Sequence, residues 1–117
     1  MDEMINALYE KMVEYLNMED EIDFKEFDGY YKQTLRELEA NYEKYDQQQG
    51  LHALFVMDNL KANSESRTQR KFPEAKKYKK ISQRTHIWVE ALFAQLVKLG
   101  MNEQQIQEQM EKMYEDA

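Results

Sequence analysis

The sequence predicts an all-α fold, a compact bundle of four to five helices that forms a single domain over residues 1–117. The chain has 117 residues, which is the usual size of one domain. It contains 3 glycines and 1 proline, too few for the tight turns of a sheet protein. Apolar residues recur at spacings of three, four and seven, which is typical of helices packed on one another.

The first predicted helix covers about residues 2–17. One side of it carries an apolar stripe of Met1, Ile5, Leu8, Met12, Tyr15 and Leu16. Asp23, with Glu26 three residues later, resembles a capping box and opens a second helix over about 23–48. Its apolar seam consists of Phe24, Tyr31, Leu35, Leu38, Tyr42 and Tyr45. These two helices make the acidic half of the bundle.

The Asp28-Gly29 pair leaves an alternative for the second helix, in which a helical turn at 23–27 precedes a new start capped by Asp28. Gly50 is a plausible stop before a third helix over 51–62. That helix is apolar on most of its circumference and therefore predicts the centre of the core, through Leu51, Leu54, Phe55, Met57 and Leu60.

Residues 63–72 are polar and without period, which predicts a mobile surface loop. Pro73 suits the first turn of a helix, and a long fourth helix is predicted over 74–99. It combines a basic face with an unbroken apolar stripe of Tyr78, Ile81, Thr85, Trp88, Leu92, Leu96 and Leu99. This long basic and apolar helix is the main element of the C-terminal half.

Gly100 predicts a C-terminal cap, and Asn102 with Gln105 predicts a capping box that opens a fifth helix over 103–115. Met101, Met110 and Met113 gather near this helix. They indicate either ordinary core filling or an adaptable groove for a partner helix.

Half of the 16 basic residues lie between residues 67 and 86, with Glu74 as the single acidic residue there. That segment carries a charge of +7, and the rest of the chain carries −14. At 100° per residue, the basic side chains of the fourth helix fall opposite its apolar stripe. The basic residues of the segment are Arg67, Arg70, Lys71, Lys76, Lys77, Lys79, Lys80 and Arg84.

A row of solvent-facing cations suits a phosphate backbone, so these eight residues are the predicted nucleic-acid contacts of a non-enzymatic accessory subunit. Two other interpretations remain open. The patch pairs with the chain's own acidic surface, since residues 1–46 carry −9, or it docks an acidic protein. The pI near 4.9 argues against a protein that coats nucleic acid indiscriminately.

The alternative function is a protein-binding regulator or inhibitor of the phage or mobile-element type, whose acidic first and second helices engage a basic partner. The seven-residue repeat in these helices also permits a homodimer, although an intramolecular hairpin uses the same seam. In size, helical content and segregated charge the chain has a general likeness to small helical subunits of ribonucleoprotein complexes, such as type III CRISPR effectors, and to phage-encoded regulators. No motif carries that likeness.

Catalytic motifs are missing from the sequence, which predicts a protein that is not an enzyme and has no cofactor. His52 and His86 lie in different predicted helices, and neither belongs to a His-Glu-x-x-His pattern. Ser64, Ser66 and Ser82 do not sit on a glycine-flanked nucleophile turn. The three glycines are too far apart for a phosphate-binding loop.

Residues 22–27 resemble the end of an EF-hand loop, with Glu26 in the place of the bidentate calcium ligand. Counting back, Tyr15 stands where the first ligand belongs and Asp20 where a glycine must turn the chain. The sequence therefore predicts no metal site.

The chain contains no cysteine, which fits a reducing cytosol. It has no apolar run near the roughly 18 residues that span a bilayer, and its acidic N-terminus is unlike a signal peptide. A cytoplasmic protein without a membrane segment is the expectation.

Overall fold

The computed structural model describes residues 4–71 and 73–117, and helices account for most of them. In chain order they are α1 (Met4–Leu16), α2 (Phe24–Asn41), α3 (Gln47–Thr68), α4 (Ala75–Lys98) and α5 (Glu103–Asp116), with a 3₁₀ turn at Tyr42–Lys44 between α2 and α3. No residue in this part of the chain belongs to a strand. The predicted all-α bundle is confirmed.

Helix α3 lies at the centre of the bundle because apolar side chains surround most of its circumference. Helix α4 packs antiparallel along its length, while α1 and α5 cover its other sides. At Gly50 the two long helices approach closely, since a Cβ atom there would lie 2.8 Å from Cδ2 of Leu96. The fully buried residues of α3 include Ala53, Phe55, Val56 and Met57.

The remaining helices each turn one apolar stripe toward this centre. In α1 the stripe is Ile5, Leu8 and Met12, and in α4 it is Tyr78, Ile81, Thr85, Leu92 and Leu96. Helices α1 and α2 form an antiparallel hairpin in which the Tyr30 hydroxyl donates to the Leu8 carbonyl at 2.5 Å. In α5, Ile106 is buried and Met110 and Met113 pack against the core. The methionine-rich helix thus packs on its own bundle.

Side-chain caps set where several helices begin. The Asp23 side chain accepts a hydrogen bond from the Glu26 backbone N–H at 2.9 Å and starts α2. Helix α2 then continues through Gly29, so the alternative of a separate turn at 23–27 is wrong. At the start of α5, the predicted capping box of Asn102 and Gln105 is present in full.

The junction between α2 and α3 differs from the prediction. Helix α2 ends at Asn41 rather than near residue 48, and α3 begins at Gln47 rather than after Gly50. A capping box of Asp46 and Gln49 opens α3 upstream of the glycine. Gly50 therefore allows the close approach of α4 and does not end a helix.

The predicted loop at 63–72 is also wrong, because α3 continues to Thr68. Its polar side chains hydrogen-bond to carbonyls of the preceding turn. The Asn63 amide donates to Asn59 at 2.8 Å, and the Ser64 hydroxyl donates to Lys61 at 3.0 Å. Polar residues whose side chains hydrogen-bond to carbonyls of their own helix can continue that helix, even where composition alone predicts a loop.

A buried arginine side chain links the end of α3 to three other segments of the chain. The Arg67 side chain donates to the Tyr78 hydroxyl at 2.5 Å and pairs with the Glu21 carboxylate at 3.0 Å. Its guanidinium carbon also lies 4.8 Å from the centre of the Phe27 ring and 5.1 Å from that of Tyr78. Arg67 therefore joins the α1–α2 connection, α2 and the start of α4.

We expect the Arg67→Ala variant to lose about 2 to 3 kcal/mol of unfolding free energy, because a buried charged hydrogen-bond donor is removed and its partners lose it. Arg70→Ala is the matched control, since Arg70 bonds the same Glu21 from a half-exposed position. It should lose less than about 1 kcal/mol. Urea denaturation followed by circular dichroism measures both, and equal losses would contradict the anchoring role of Arg67.

Gly100 and Gly29 should respond to alanine in opposite directions. Gly100 caps α4 with a φ of 101°, a conformation that alanine adopts at a cost of about 1 kcal/mol. Gly29 lies exposed within α2 with nothing within 4 Å of an added Cβ, so alanine should stabilise by about 0.5 to 1 kcal/mol. Thermal melts compare the two variants, and a stabilised Gly100→Ala protein would contradict the cap.

Candidate nucleic-acid interface

The structure divides the eight predicted contact residues into three groups. Lys77, Lys80 and Arg84 line a groove between α2 and α4. Lys71, on the turn before α4, and Lys76 and Lys79, on α4, are exposed and do not line that groove. Arg67 and Arg70 lie at the end of α3 and beyond it, and both are held by Glu21. The residues do not form one continuous patch.

The groove between α2 and α4, called the α2–α4 groove below, is open to solvent and has a volume of about 590 Å³. The α4 side presents the three cations together with Ile81 and Ile87. The α2 side presents Phe24, Asp28, Tyr31 and Lys32. Cations thus stand beside an apolar floor, which is a surface suited to an anion that carries apolar parts.

The lysines of this region make no salt bridge within the described part of the chain. Among residues 4–71 and 73–117, no carboxylate lies within 4.0 Å of the amino groups of Lys71, Lys76, Lys77, Lys79 and Lys80. Lys77 instead places its amino group 5.1 Å from the centre of the Phe24 ring.

Of the basic segment's arginines, the two exposed ones differ from its lysines because each has an acidic partner. Arg70 hydrogen-bonds to Glu21, and Arg84 pairs with Glu39 at 3.4 Å. The side chains of Arg84 and Glu39 are both 53% exposed, so solvent screens the pair and it contributes little stability. Arg84 can therefore exchange this partner for a phosphate at small cost.

Arg67 corrects the sequence prediction most clearly. It is 5% exposed, and its donors are directed to Tyr78 and Glu21 rather than to solvent. The expectation that Arg67 lies in an exposed loop is wrong, because α3 continues through that segment and turns this side chain inward. The spacing of these residues in the sequence indicates that Arg67 is buried, since Leu60, Ser64 and Arg67 extend the buried stripe of α3 at i, i+4 and i+7.

On the α2 side of the groove, the negatively charged side chain already has a cationic partner. Asp28 pairs with Lys32 at 2.8 Å, one helical turn away. Burial raises the pKa of Tyr31, so its phenol stays uncharged and adds no negative charge to the floor. The groove therefore keeps a positive balance from the lysines of α4.

Sequence reasoning missed the α2 side of the groove. Phe24 and Tyr31 were identified only as members of an apolar seam, and Lys32 was not singled out. Which helix lies beside α4 depends on tertiary packing. The pairing is set by rings that are distant in sequence, Phe24 against Tyr78 and Tyr42 against Trp88, with centroids 5.2 Å apart in both pairs.

The side chains considered for catalysis or metal binding are engaged elsewhere. The hydroxyls of Ser64 and Ser82 donate to carbonyls of their own helices. Glu26 accepts a hydrogen bond from the Tyr15 hydroxyl at 2.8 Å. Within the described ranges, no group of three or more His, Asp or Glu side chains converges in a way that could hold a metal ion.

Comparison of the chain with protein-family models, curated proteins and solved structures finds no match. The geometry of the chain itself therefore carries the functional argument. Of the helices described, none has the length and apolar character needed to cross a membrane.

His52 is a half-buried histidine with both ring nitrogens engaged. Nδ1 lies 2.7 Å from the Asn6 side-chain oxygen, and Nε2 lies 3.1 Å from the Gln48 amide nitrogen. Because the Gln48 amide donates, Nε2 accepts and Nδ1–H donates to Asn6, which is the neutral form of the ring. The ring also stacks on Tyr9, with centroids 4.2 Å apart. Its contacts are structural.

Burial lowers the pKa of His52, and the nearby carboxylates of Asp46 and Glu10 only partly oppose this shift. The unfolded chain therefore takes up a proton near pH 6.5, while folded His52 does so at lower pH. The contribution of His52 to the free energy of unfolding is therefore present above about pH 6.5 and is lost as the pH falls below that value.

We expect the melting temperature of His52→Gln to fall less than that of the wild type between about pH 7 and pH 5. His86→Gln is the control, because His86 is exposed and lies 3.6 Å from Glu90 on the same helix, away from the Asn6 and Gln48 contacts. The His52→Gln curve should be the flatter of the two. Thermal melts at several pH values make the comparison, and a His52→Gln curve parallel to the wild type would contradict the neutral buried histidine.

Proposed function

We propose that this protein is a non-enzymatic helical interaction protein that contacts the phosphate backbone of nucleic acid through the exposed basic side chains of α4 and the turn before it. The observation that carries the proposal is the set of lysines that have no carboxylate within 4.0 Å among residues 4–71 and 73–117. Four of these five lysines lie on α4, in a chain whose net charge is −7. Cations clustered in this way favour a partner that supplies negative charge.

Phosphate binding gains free energy because each lysine that neutralises a phosphate releases condensed counterions. Five lysines and Arg84 supply several such contacts within about two and a half turns of helix and the connection before it. Contacts of this kind position a protein on the backbone and carry no sequence information. The proposed activity is therefore salt-sensitive and independent of sequence.

Each basic residue has a distinct place in the proposal. Lys77 and Lys80, which line the groove, make the direct contacts, and Lys71, Lys76 and Lys79 add positive charge beside it. Arg84 contributes by exchanging Glu39 for a phosphate. Arg67 has no part in binding, and it supports the start of α4 by holding Tyr78.

The competing interpretation, that the basic segment only neutralises the chain's own acidic surface, fits the arginines and not the lysines. Arg67, Arg70 and Arg84 do meet Glu21 or Glu39. The lysines have none of these contacts, although residues 1–46 carry −9. A regulator that engages a basic protein through its acidic helices is the alternative, and the experiment below separates the two.

Replacing Lys76, Lys77 and Lys80 by Glu should weaken binding to labelled DNA and RNA by at least about a hundredfold at about 50 mM salt, because three attractive contacts become repulsive. The wild type should bind and should lose affinity steeply toward about 200 mM salt. Fluorescence anisotropy measures both, with circular dichroism as the check on helicity.

The matched control replaces Lys44, Lys98 and Lys112 by Glu, which changes the net charge equally at exposed sites outside the basic segment. This variant should keep most of its affinity. Undiminished nucleic-acid binding after reversal on α4 would refute the proposal. Affinity for a basic protein that persists after the same reversal, with no affinity for nucleic acid, would establish the alternative.

A further inference from the structure

The basic face of α4 has two sides that point in different directions. At 100° per residue, Lys77, Lys80 and Arg84 fall within about 60° of one another, on the flank that faces α2. Lys79 falls about 100° or more away from these three, and Lys76 lies between the two flanks. The structure agrees, because only the first three line the α2–α4 groove. Binding in the groove and binding on the outer side of α4 therefore use different lysines.

We propose that the α2–α4 groove holds a single strand of nucleic acid, with its phosphates along α4 and its sugars and bases over the apolar floor. This inference rests on the proposed function and specifies the form of nucleic acid that the site takes. Two features of the groove support it: the spacing of its cations and its apolar side chains.

The spacing of the cations suits successive phosphates of one strand. With a rise of about 1.5 Å per residue, Lys77 and Lys80 are separated by about 4.5 Å along the helix, and Lys80 and Arg84 by about 6 Å. Long side chains adjust these separations to neighbouring phosphates of an extended strand. One helix wall can therefore follow two or three nucleotides.

The floor offers apolar contacts that a duplex does not use. Phe24 lines the groove with a partly exposed ring, and Ile87 lines it with 61% of its surface exposed, whereas Ile81 and Tyr31 are buried beneath them. A single strand presents the faces of its bases, which lose water favourably against apolar side chains. A duplex keeps its bases stacked inside and presents mainly phosphates.

The test compares two variants of equal charge on the same helix, Lys77→Gln with Lys80→Gln and Lys76→Gln with Lys79→Gln. The probes are a labelled single-stranded oligonucleotide of about 15 nucleotides and the duplex of the same sequence. We expect the wild type to bind the single strand more tightly than the duplex. The groove pair should weaken single-strand binding by about tenfold or more at about 50 mM salt and reduce the log–log salt slope by about 1.4. The outer pair should change the single-strand affinity and the salt slope by clearly less.

The outcomes separate the inference from the proposed function. A wild type that binds neither probe at low salt overturns both. Tighter binding of the duplex, or an equal or larger loss in the outer pair, overturns the single-strand assignment and leaves the proposed function standing. Circular dichroism melts check that both variants are folded, which the exposed positions of all four lysines favour.

Discussion

The bundle depends on the need to cover α3, because a helix that is apolar around most of its circumference is stable only when other helices surround it. Helix α4 covers it along its length, and α1 and α5 cover the remaining sides. The approach is closest at Gly50, where the missing side chain admits Leu96. The positions of the other helices follow from this requirement.

The same requirement decides where the charge lies. Helix α4 turns its apolar stripe toward α3, so its lysines face away from the core. Helix α2 meets α4 through aromatic rings, Phe24 and Phe27 on Tyr78, and the neighbouring Tyr42 on Trp88. Beside these contacts the two helices leave the α2–α4 groove open. Charge that is segregated in the sequence is therefore segregated on the surface, and Lys77 and Lys80 line the groove with no carboxylate of the described ranges within 4.0 Å.

Periodicity predicted what depends on local sequence: the helical class, the buried stripes of α1 and α4, and the cap at Asn102. It failed where polar side chains are satisfied internally, because Ser64 and Asn63 look like loop residues until their bonds to the preceding turn are seen. Composition also placed Arg67 on the surface, although its spacing from Leu60 and Ser64 continues the buried stripe of α3. The α2 wall of the site depends on which helices meet, and no local pattern encodes that.

The proposed binding of nucleic acid between α4 and α2 is tested most directly by titrating isotope-labelled protein with a single-stranded oligonucleotide and following backbone amide signals by two-dimensional NMR. Binding in the groove predicts that shifts concentrate at residues 76–88 of α4 and 24–35 of α2 and leave α1 and α5 unchanged. Shifts centred on α1 or α5, with α4 unaffected, would contradict it.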